Sequence, residues 1–598
     1  MNRPLSLLLA ASLVLACGKA AAQAPLKVLK YAFPVAETGF DPAQTSDLYS
    51  RTVAANIFES PLTYDFLARP VKLKPQTAAA LPEISKDSKR FVFRIQPGIY
   101  FADDPAFKGA RRELTAADYV YSIKRYYDPQ YKSPSLYIFE NAKVLGLSEL
   151  RKLAIAEKRP FPYDTEVAGL RALDRYSFEL VLGEPAPRFH YNFADPAITG
   201  AVAREVIEAH AGKTMEHPVG TGPFVLSRWQ RSAKIVLDRN PNYRERKYDE
   251  EASAGDAASE AIAAKFKGRR VPMLDRVEIS IVEEVQPRWL AFLNGEHDML
   301  ERLPNDFAST ATPNNQLAPH LSKRGVRMER VPLVDVTVAY FAMENPVVGG
   351  YTPEKIALRR AVSLAYDSPK EITLLRRGQA IPAQSIVAPL LSGYDPRWKS
   401  EMSDHDLPRA KALLDLYGYV DKNGDGWRDL PDGAPLVLEY SAQPDQLSRQ
   451  TQELWKKSMD ALKVKIDFKI AKWPEQLKAS RAGKLMMWGV GWSGTSPDGL
   501  YFMELMYGPN KGQANHARFD LPVFNALFER ASVLPDGPER EALLREAKEL
   551  TVAYMPYKVT AHRIATDLMH AQVQGYKRHP FMREWWRYVD VELKEAKP

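Results

Sequence analysis

The sequence is poor in the side chains that do covalent and metal chemistry. It has 598 residues and one cysteine, Cys17. That residue falls inside a leader, so the mature chain has no internal disulfide and no thiolate metal cluster. Ten histidines are scattered over the whole length. His562, His570 and His579 are too widely spaced to share one helical metal face, and each reads as a surface or pocket-wall residue. No stretch after the leader approaches the length of a transmembrane helix. No arginine-rich arm is present, and the formal charge of +8 is spread along the chain. The charge therefore describes a mildly basic solvated surface and excludes a nucleic-acid footprint. There is no internal repeat, and the only biased segment is an Ala/Glu stretch, Glu250 to Lys267.

What is present is ordinary globular material with many fixed turns. Hydrophobic residues make up 45% and charged residues 26%, values typical of a soluble domain. The 45 prolines favour numerous rigid loops over helical arrays. At the N-terminus, Arg3 precedes an apolar core from Leu5 to Ala16 that is too short to anchor as a span. Two processing sites compete there. Ala20-Ala21-Ala22 before Gln23 fits signal peptidase and gives a leader at 1–22 and a soluble periplasmic protein. Val14-Leu15-Ala16-Cys17 resembles a lipobox, and its use would give a lipoprotein anchored through Cys17. Secretion with removal of 1–22 is the expectation.

The chain reads as alternating short strands and helices. Leu26 to Phe33 is a first strand, and Asp47 to Phe58 has helical apolar spacing. Phe91, Phe93 and Ile95 alternate as a strand. Thr115 is a helix N-cap with Asp118 in the first turn. Residues 146–170 look like a surface insertion. Pro218 to Tyr243, PVGTGPFVLSRWQRSAKIVLDRNPNY, reads as a glycine turn, two strands and an Asn/Pro stop. A phosphate loop would need a strand before the glycines and a helix after them; here a strand follows. Asp421-Lys422-Asn423-Gly424-Asp425-Gly426, with Asp432 in the twelfth place, fits the D-x-N-x-D-G calcium pattern. A strand-like run follows it where an EF-hand needs a helix. The reading is a structural turn, with calcium on Asp421, Asn423, Asp425 and Asp432 as the alternative. Gly491-Trp492-Ser493-Gly494-Thr495 lacks the final glycine of a nucleophile elbow, and no histidine with a supporting acid is assignable. No catalytic residue follows from spacing.

Several of these stretches together carry a resemblance. "P-x-G-T-G-P-[FY]" followed by "R-N-P-x-Y" is joined by Ile57-Phe58-Glu59 and by Leu114 to Ser122. Trp289 to Asp298, Lys355 to Ile372, and Gly378-Gln379-Ala380-Ile381-Pro382-Ala383 complete the set. In this order they resemble the family 5 extracellular solute-binding proteins, receptors of peptide-type ABC importers. The resemblance covers nearly all of Leu26 to Tyr588. It implies an α/β periplasmic binding protein-like fold: two lobes with mixed sheets, a two-stranded hinge and an extra subdomain in lobe one. The implied division is lobe I at 26–65, 190–335 and 545–598, the extra subdomain at 66–189, and lobe II at 336–544. It implies a monomeric receptor, not an enzyme, that closes on a small peptide-like solute and presents it to a membrane permease, without a cofactor. A haem, glycoside or glutathione-like conjugate on the same fold is the alternative, and a secreted hydrolase a more remote one.

The implied ligand-binding set is Ser46, Asp47, Leu48, Gly491, Trp492, Ser493, Gly494, Thr495 and Asp498. Peptide-binding members carry "G-W-x-x-D" at this point, the Asp pairing with the ligand's ammonium. Here Gly491 and Trp492 match and Thr495 stands in place of the Asp. Either Asp498 or Asp47 takes over that charge, or the ligand lacks an ammonium.

Overall fold

A computed structural model describes residues 25–593. The leader at 1–22 and Cys17 lie outside the described residues. Among those residues no helix is long and apolar enough to cross a membrane.

Lobe I is built on a mixed sheet. Val28–Phe33 runs parallel to Arg276–Ile281, which pairs antiparallel with Lys234–Arg239 and through it with Phe224–Gln230. The last two strands are the hairpin of the PVGTGP stretch. Ile235, Leu237, Val277 and Ile279 alternate inward and are fully buried, as a one-faced sheet requires.

The glycine corner before this hairpin has a steric cause. A Cβ on Gly220 would sit 2.1 Å from the carbonyl oxygen of Ile57, and one on Gly222 would sit 2.5 Å from it. Gly222 instead donates its N–H to that carbonyl at 2.8 Å. The corner thus caps the end of helix Leu48–Ile57, where carbonyls have no partner within the helix. Neighbouring residues gather on Glu59. Its carboxylate receives Arg244 at 2.6 Å, Thr221 at 3.1 Å and Tyr243 at 3.2 Å. Burial alone would raise the Glu59 carboxyl; Arg244 prevails and holds it below its ordinary range. The stretches that look most motif-like are therefore one buried knot of lobe I.

A separate antiparallel sheet, Glu83–Ile84, Arg90–Arg94, Ser177–Val181 and Leu170–Ala172, is covered by helix Ala116–Tyr127. Thr115 and Asp118 form a reciprocal capping box at its start, the arrangement that satisfies two free amides at once. The surface insertion at 146–170 contains a helix, Leu147–Ala156, with Leu147 and Leu150 turned inward.

Lobe II has Asp335–Phe341 at the centre of its sheet. Met487–Ser493 and Tyr557–Met569 flank it antiparallel, and Val437–Ala442 and Lys465–Ile470 extend it in parallel. Long helices pack on it, including Pro353–Ala365 and Gln446–Leu462. Asp445 starts the second by capping it through the Ser448 amide.

Tyr557–Met569 joins the lobes. Its first half pairs with Asp335–Phe341 and its second half with Arg327–Pro332. Two antiparallel chains therefore cross between the lobes, and the crossing lies at Leu333-Val334 and His562-Arg563. This is the two-stranded hinge.

Candidate functional site

The space beside the hinge, between the lobes, is a cavity of about 420 Å³, within the range of small-molecule sites. Lobe I contributes Tyr49, Glu283, Glu284, Arg288, Arg302 and Asp306. Lobe II contributes Thr337, Arg376, Tyr440, Asp445, Trp455 and Lys472. The floor is strand Met487–Ser493, whose Gly489 and Gly491 face the cavity together by the two-residue period. Each glycine makes room for a side chain laid flat on the sheet. A Cβ on Gly489 would lie 2.2 Å from the hydroxyl of Tyr440, and one on Gly491 would lie 3.0 Å from Arg563 Nη2.

The cations of this wall are held in place by carboxylates. Arg563 is gripped by Asp335 at 2.8 and 2.7 Å, yet burial still pulls its guanidinium below the ordinary arginine range. Arg376 is chelated by Glu371 at 2.9 and 2.6 Å. A smaller cavity of about 60 Å³ shares Tyr49, Arg302 and Leu333 with the larger one and is also lined by Leu48, Thr52, Ser493, Gly494 and Arg583.

The structure separates the residues expected from sequence. Gly491 lines the main cavity; Leu48, Ser493 and Gly494 line the small one. Ser46 accepts a hydrogen bond from Arg481, a contact from lobe I to lobe II. Trp492 is half-buried and packs edge-on to His516, ring centres 5.6 Å apart. Thr495 is buried, and its carbonyl accepts from the Tyr64 hydroxyl at 3.1 Å.

Both carboxylates named as substitutes for the missing acid are already committed. Asp47 caps helix Leu48–Ile57 through the Ser50 amide at 2.8 Å and accepts from Thr38 at 2.5 Å. Asp498 is bound by both oxygens to Arg540 at 2.8 Å and accepts the Leu500 amide at 3.0 Å. Each therefore already has a structural partner that fixes its position.

Of the three C-terminal histidines expected at the surface or in pocket walls, two meet that expectation as wall residues and His570 does not; all three are buried. His562 and His579 wall cavities. His570 is stacked on Phe292, ring centres 4.4 Å apart, inside the core.

In the 421–432 loop, Asp421 accepts the amides of Gly424 and Gly426 at 2.7 and 2.8 Å, and Asn423 accepts that of Asp425 at 2.9 Å. Asp425 pairs with Lys465 at 3.0 Å, and Asp432 accepts the Ala434 amide at 3.0 Å. These oxygens close the turn by themselves.

Residues lining the main cavity such as Arg302 and Arg376 were not found from sequence. Nor was Glu504, which lies outside the lining of both cavities. It is half-buried and has no hydrogen-bond or ion-pair partner for its carboxylate among the described residues. Burial, reinforced by neighbouring Asp498, pushes its carboxyl well above the usual range. Its charge and that of Arg51 in lobe I both act on the buried hydroxyls of Tyr137 and Tyr501. Arg51 is held by Asp195 at 2.5 Å, and Arg583 by the same oxygen at 3.2 Å. The one available signal is an acid inside an apolar run, Leu500-Tyr501-Phe502-Met503-Glu504-Leu505-Met506; buried acids of that kind are rare without a partner.

Comparison with known proteins gives one consistent answer. The family model described as "Bacterial extracellular solute-binding proteins, family 5 Middle" matches residues 72–514. The chain is 25% identical to Di/tripeptide-binding protein 2 of Pseudomonas aeruginosa, over 97% of this chain and 98% of that protein. It is also 25% identical to Heme-binding protein A of Haemophilus influenzae, over 94% and 92%. The structure resembles the periplasmic binding protein DppA of Helicobacter pylori in complex with the peptide STSA. That likeness has a TM-score of 0.75 at 20% identity and covers 95% of this chain and 98% of that one.

Proposed function

Because the chain belongs to the bacterial extracellular solute-binding proteins of family 5, we propose that it captures a short peptide between its lobes and delivers it to the permease of an ABC importer. The observation that carries the peptide reading is the mixed lining of the cleft. A short peptide presents an ammonium, a carboxylate and amides within a few ångströms of one another. The cleft offers acids and arginines on facing walls, and Glu504, outside that lining, offers a carboxylate without a partner among the described residues.

In this reading Glu504 takes the ammonium and so fills the role that Thr495 cannot. A buried carboxylate without a cation carries a desolvation cost, and a ligand ammonium removes that cost through a charge-assisted hydrogen bond. Arg302 and Arg563 are the candidates for the carboxylate end. They flank the space beside Tyr49, and guanidinium geometry suits a carboxylate. Lobe closure follows because a ligand touching both walls stabilises only the state in which the walls meet.

The protein acts as a monomeric periplasmic receptor, secreted through its leader, and catalyses no reaction. Its relatives in the comparisons are named as binding proteins, and no nucleophile–base pair emerges from the sequence.

The test is mass spectrometry of ligands that co-purify with the protein, followed by calorimetry with di- and tripeptides, their N-acetylated forms and haem. Peptides with free amino termini should bind one per chain and the N-acetylated forms at least tenfold more weakly. Haem binding without peptide binding, or turnover of any peptide, would sink the proposal.

A further inference from the structure

Away from the cleft, three metal-ligating side chains from distant parts of lobe I meet. The ligand atoms of Asp104, His210 and His217 all lie within 4.8 Å of one another. Asp104 precedes the short turn Pro105–Phe107, His210 ends helix Arg204–Ala209, and His217 stands directly before the Pro218 to Gly222 corner. We propose that Asp104, His210 and His217 form a binding site for one divalent transition-metal ion of the zinc type.

The donor set selects the metal. Two imidazole nitrogens and one carboxylate oxygen suit Zn²⁺, Ni²⁺ or Cu²⁺. Ca²⁺ and Mg²⁺ need shells made of oxygen. Three protein ligands leave a position open for water.

The three donors lie close together, and a small rearrangement brings them onto one ion. Asp104 Oδ2 lies 2.6 Å from His217 Nε2, while Oδ1 accepts the Ala106 amide at 2.9 Å. One carboxylate oxygen is thus fixed by the backbone and the other is aimed at the imidazole, the outer hydrogen bond that orients a ligating acid. The rings of His210 and His217 are stacked, centres 3.6 Å apart and 22° from parallel. Ring lone pairs lie in the ring planes, so two near-parallel rings do not aim at one point, and ligation requires one ring to turn. Binding would part Oδ2 and Nε2 from 2.6 Å to roughly 3.3 Å, as metal–ligand bonds of about 2.0–2.2 Å at tetrahedral angles require. Rotation of His217, whose side chain is 38% exposed, supplies that movement and the path of entry. The ion would replace one shared hydrogen bond by three coordinate bonds, with the His217 ring proton carried on the nitrogen that does not ligate.

The site has a structural consequence. Ala102, two residues before Asp104, donates its amide to Gly220 at 2.9 Å. A metal would therefore tie the Phe101 to Asp104 segment, the end of helix Arg204–Ala209 and the glycine corner into one unit.

The test uses the mature protein with any affinity tag removed, stripped by a chelator. Zn²⁺ is titrated by calorimetry and Co²⁺ by visible absorption. The expected result is one ion per chain, with the d–d bands of four-coordinate Co²⁺. Binding should be tighter at pH 7.5 than at pH 5.5, since the imidazoles must be neutral to ligate. His210→Asn and His217→Asn should each weaken Zn²⁺ at least tenfold while unfolding at the wild-type temperature in chelator. Peptide binding in the cleft should be unchanged in both, which separates this site from the proposed function. Asp104 is left intact because it also caps the turn. Absence of Zn²⁺ and Co²⁺ binding by the intact protein overturns the proposal, and so does wild-type affinity in both histidine variants. If either variant fails to fold, the Co²⁺ spectrum of the intact protein decides alone: octahedral bands or none would refute the site.

Discussion

The hydroxyl of Tyr64 in lobe I donates to the carbonyl of Thr495 in lobe II across 3.1 Å. The main chain at the position where an aspartate was expected is thus part of the closing contact, whatever side chain stands there. A neutral hydrogen bond of this kind contributes about 1 kcal/mol net. It forms only when the lobes meet, so its loss should fall on the closed state. Tyr64→Phe is expected to weaken ligand binding about fivefold, mainly through faster release. Calorimetry and stopped-flow tryptophan fluorescence check this, with an unchanged thermal unfolding temperature as the control.

The glycine corner makes a prediction about folding. A Cβ on Gly220 would press 2.1 Å from a backbone oxygen, which no rotamer change can relieve. Gly220→Ala should cost about 2–4 kcal/mol, the range of severe overpacking. Gly537→Ala is the control: its backbone is extended and a Cβ there meets nothing within 4 Å. Urea midpoints compare the two, and equal midpoints would refute the steric account.

That corner also explains how much was legible in the sequence. The stretches around Glu59, Thr221 and Tyr243 were readable because a buried knot tolerates few substitutes: each position needs one shape and one hydrogen-bond group. Strand alternation at Ile235 and Leu237 and the capping pair Thr115 and Asp118 were readable because their cause is local. The start of helix Gln446–Leu462 was not, since its cap Asp445 stands well ahead of the apolar stripe.

The site was less legible, for a physical reason. Gly491 could be placed because it lies on a strand. The roles of Asp47 and Asp498 could not, because the groups that occupy them, Thr38 and Arg540, are set by tertiary packing. Glu504 was hidden by the same rule: an acid in an apolar run looks anomalous only once its surroundings are known to hold no cation for it.

His516 gives a stability prediction with a definite sign. Burial, and then the nearby Arg481 and Arg518, depress its imidazole from 6.5 to about 3. Its Nδ1 lies 2.7 Å from the Ser480 hydroxyl, and its ring meets Trp492. A depressed base binds its proton in the unfolded chain first. Stability from this group is therefore complete above pH 6.5 and is lost as pH falls toward about 3. The loss amounts to about 1.4 kcal/mol per pH unit inside that window. His516→Gln should flatten the fall in the urea midpoint between pH 6.5 and about 4 by roughly one proton. An unchanged slope would show that His516 is not buried neutral.

Glu504 gives the prediction that bears most directly on function, and its sign is opposite in the empty and loaded protein. Burial raises its carboxyl above the ordinary 4.5. A raised acid supports the fold fully below its unfolded value, and that support is lost as pH rises through the folded value. In the empty protein at neutral pH the group is thus a liability, and Glu504→Gln should raise the unfolding temperature. A ligand ammonium reverses this by favouring the carboxylate. Binding should then release a proton below the empty-state pKa, seen as a dependence of the calorimetric enthalpy on buffer ionisation. Affinity should climb with pH through that range and decline above about 8, where a peptide amine loses its own proton. In the Gln variant both the climb and the proton release should vanish. Free-amine peptides should lose about 2 kcal/mol or more, roughly thirtyfold, and N-acetylated peptides almost nothing. Equal losses for both ligand classes would mean that Glu504 shapes the cleft without meeting the ammonium.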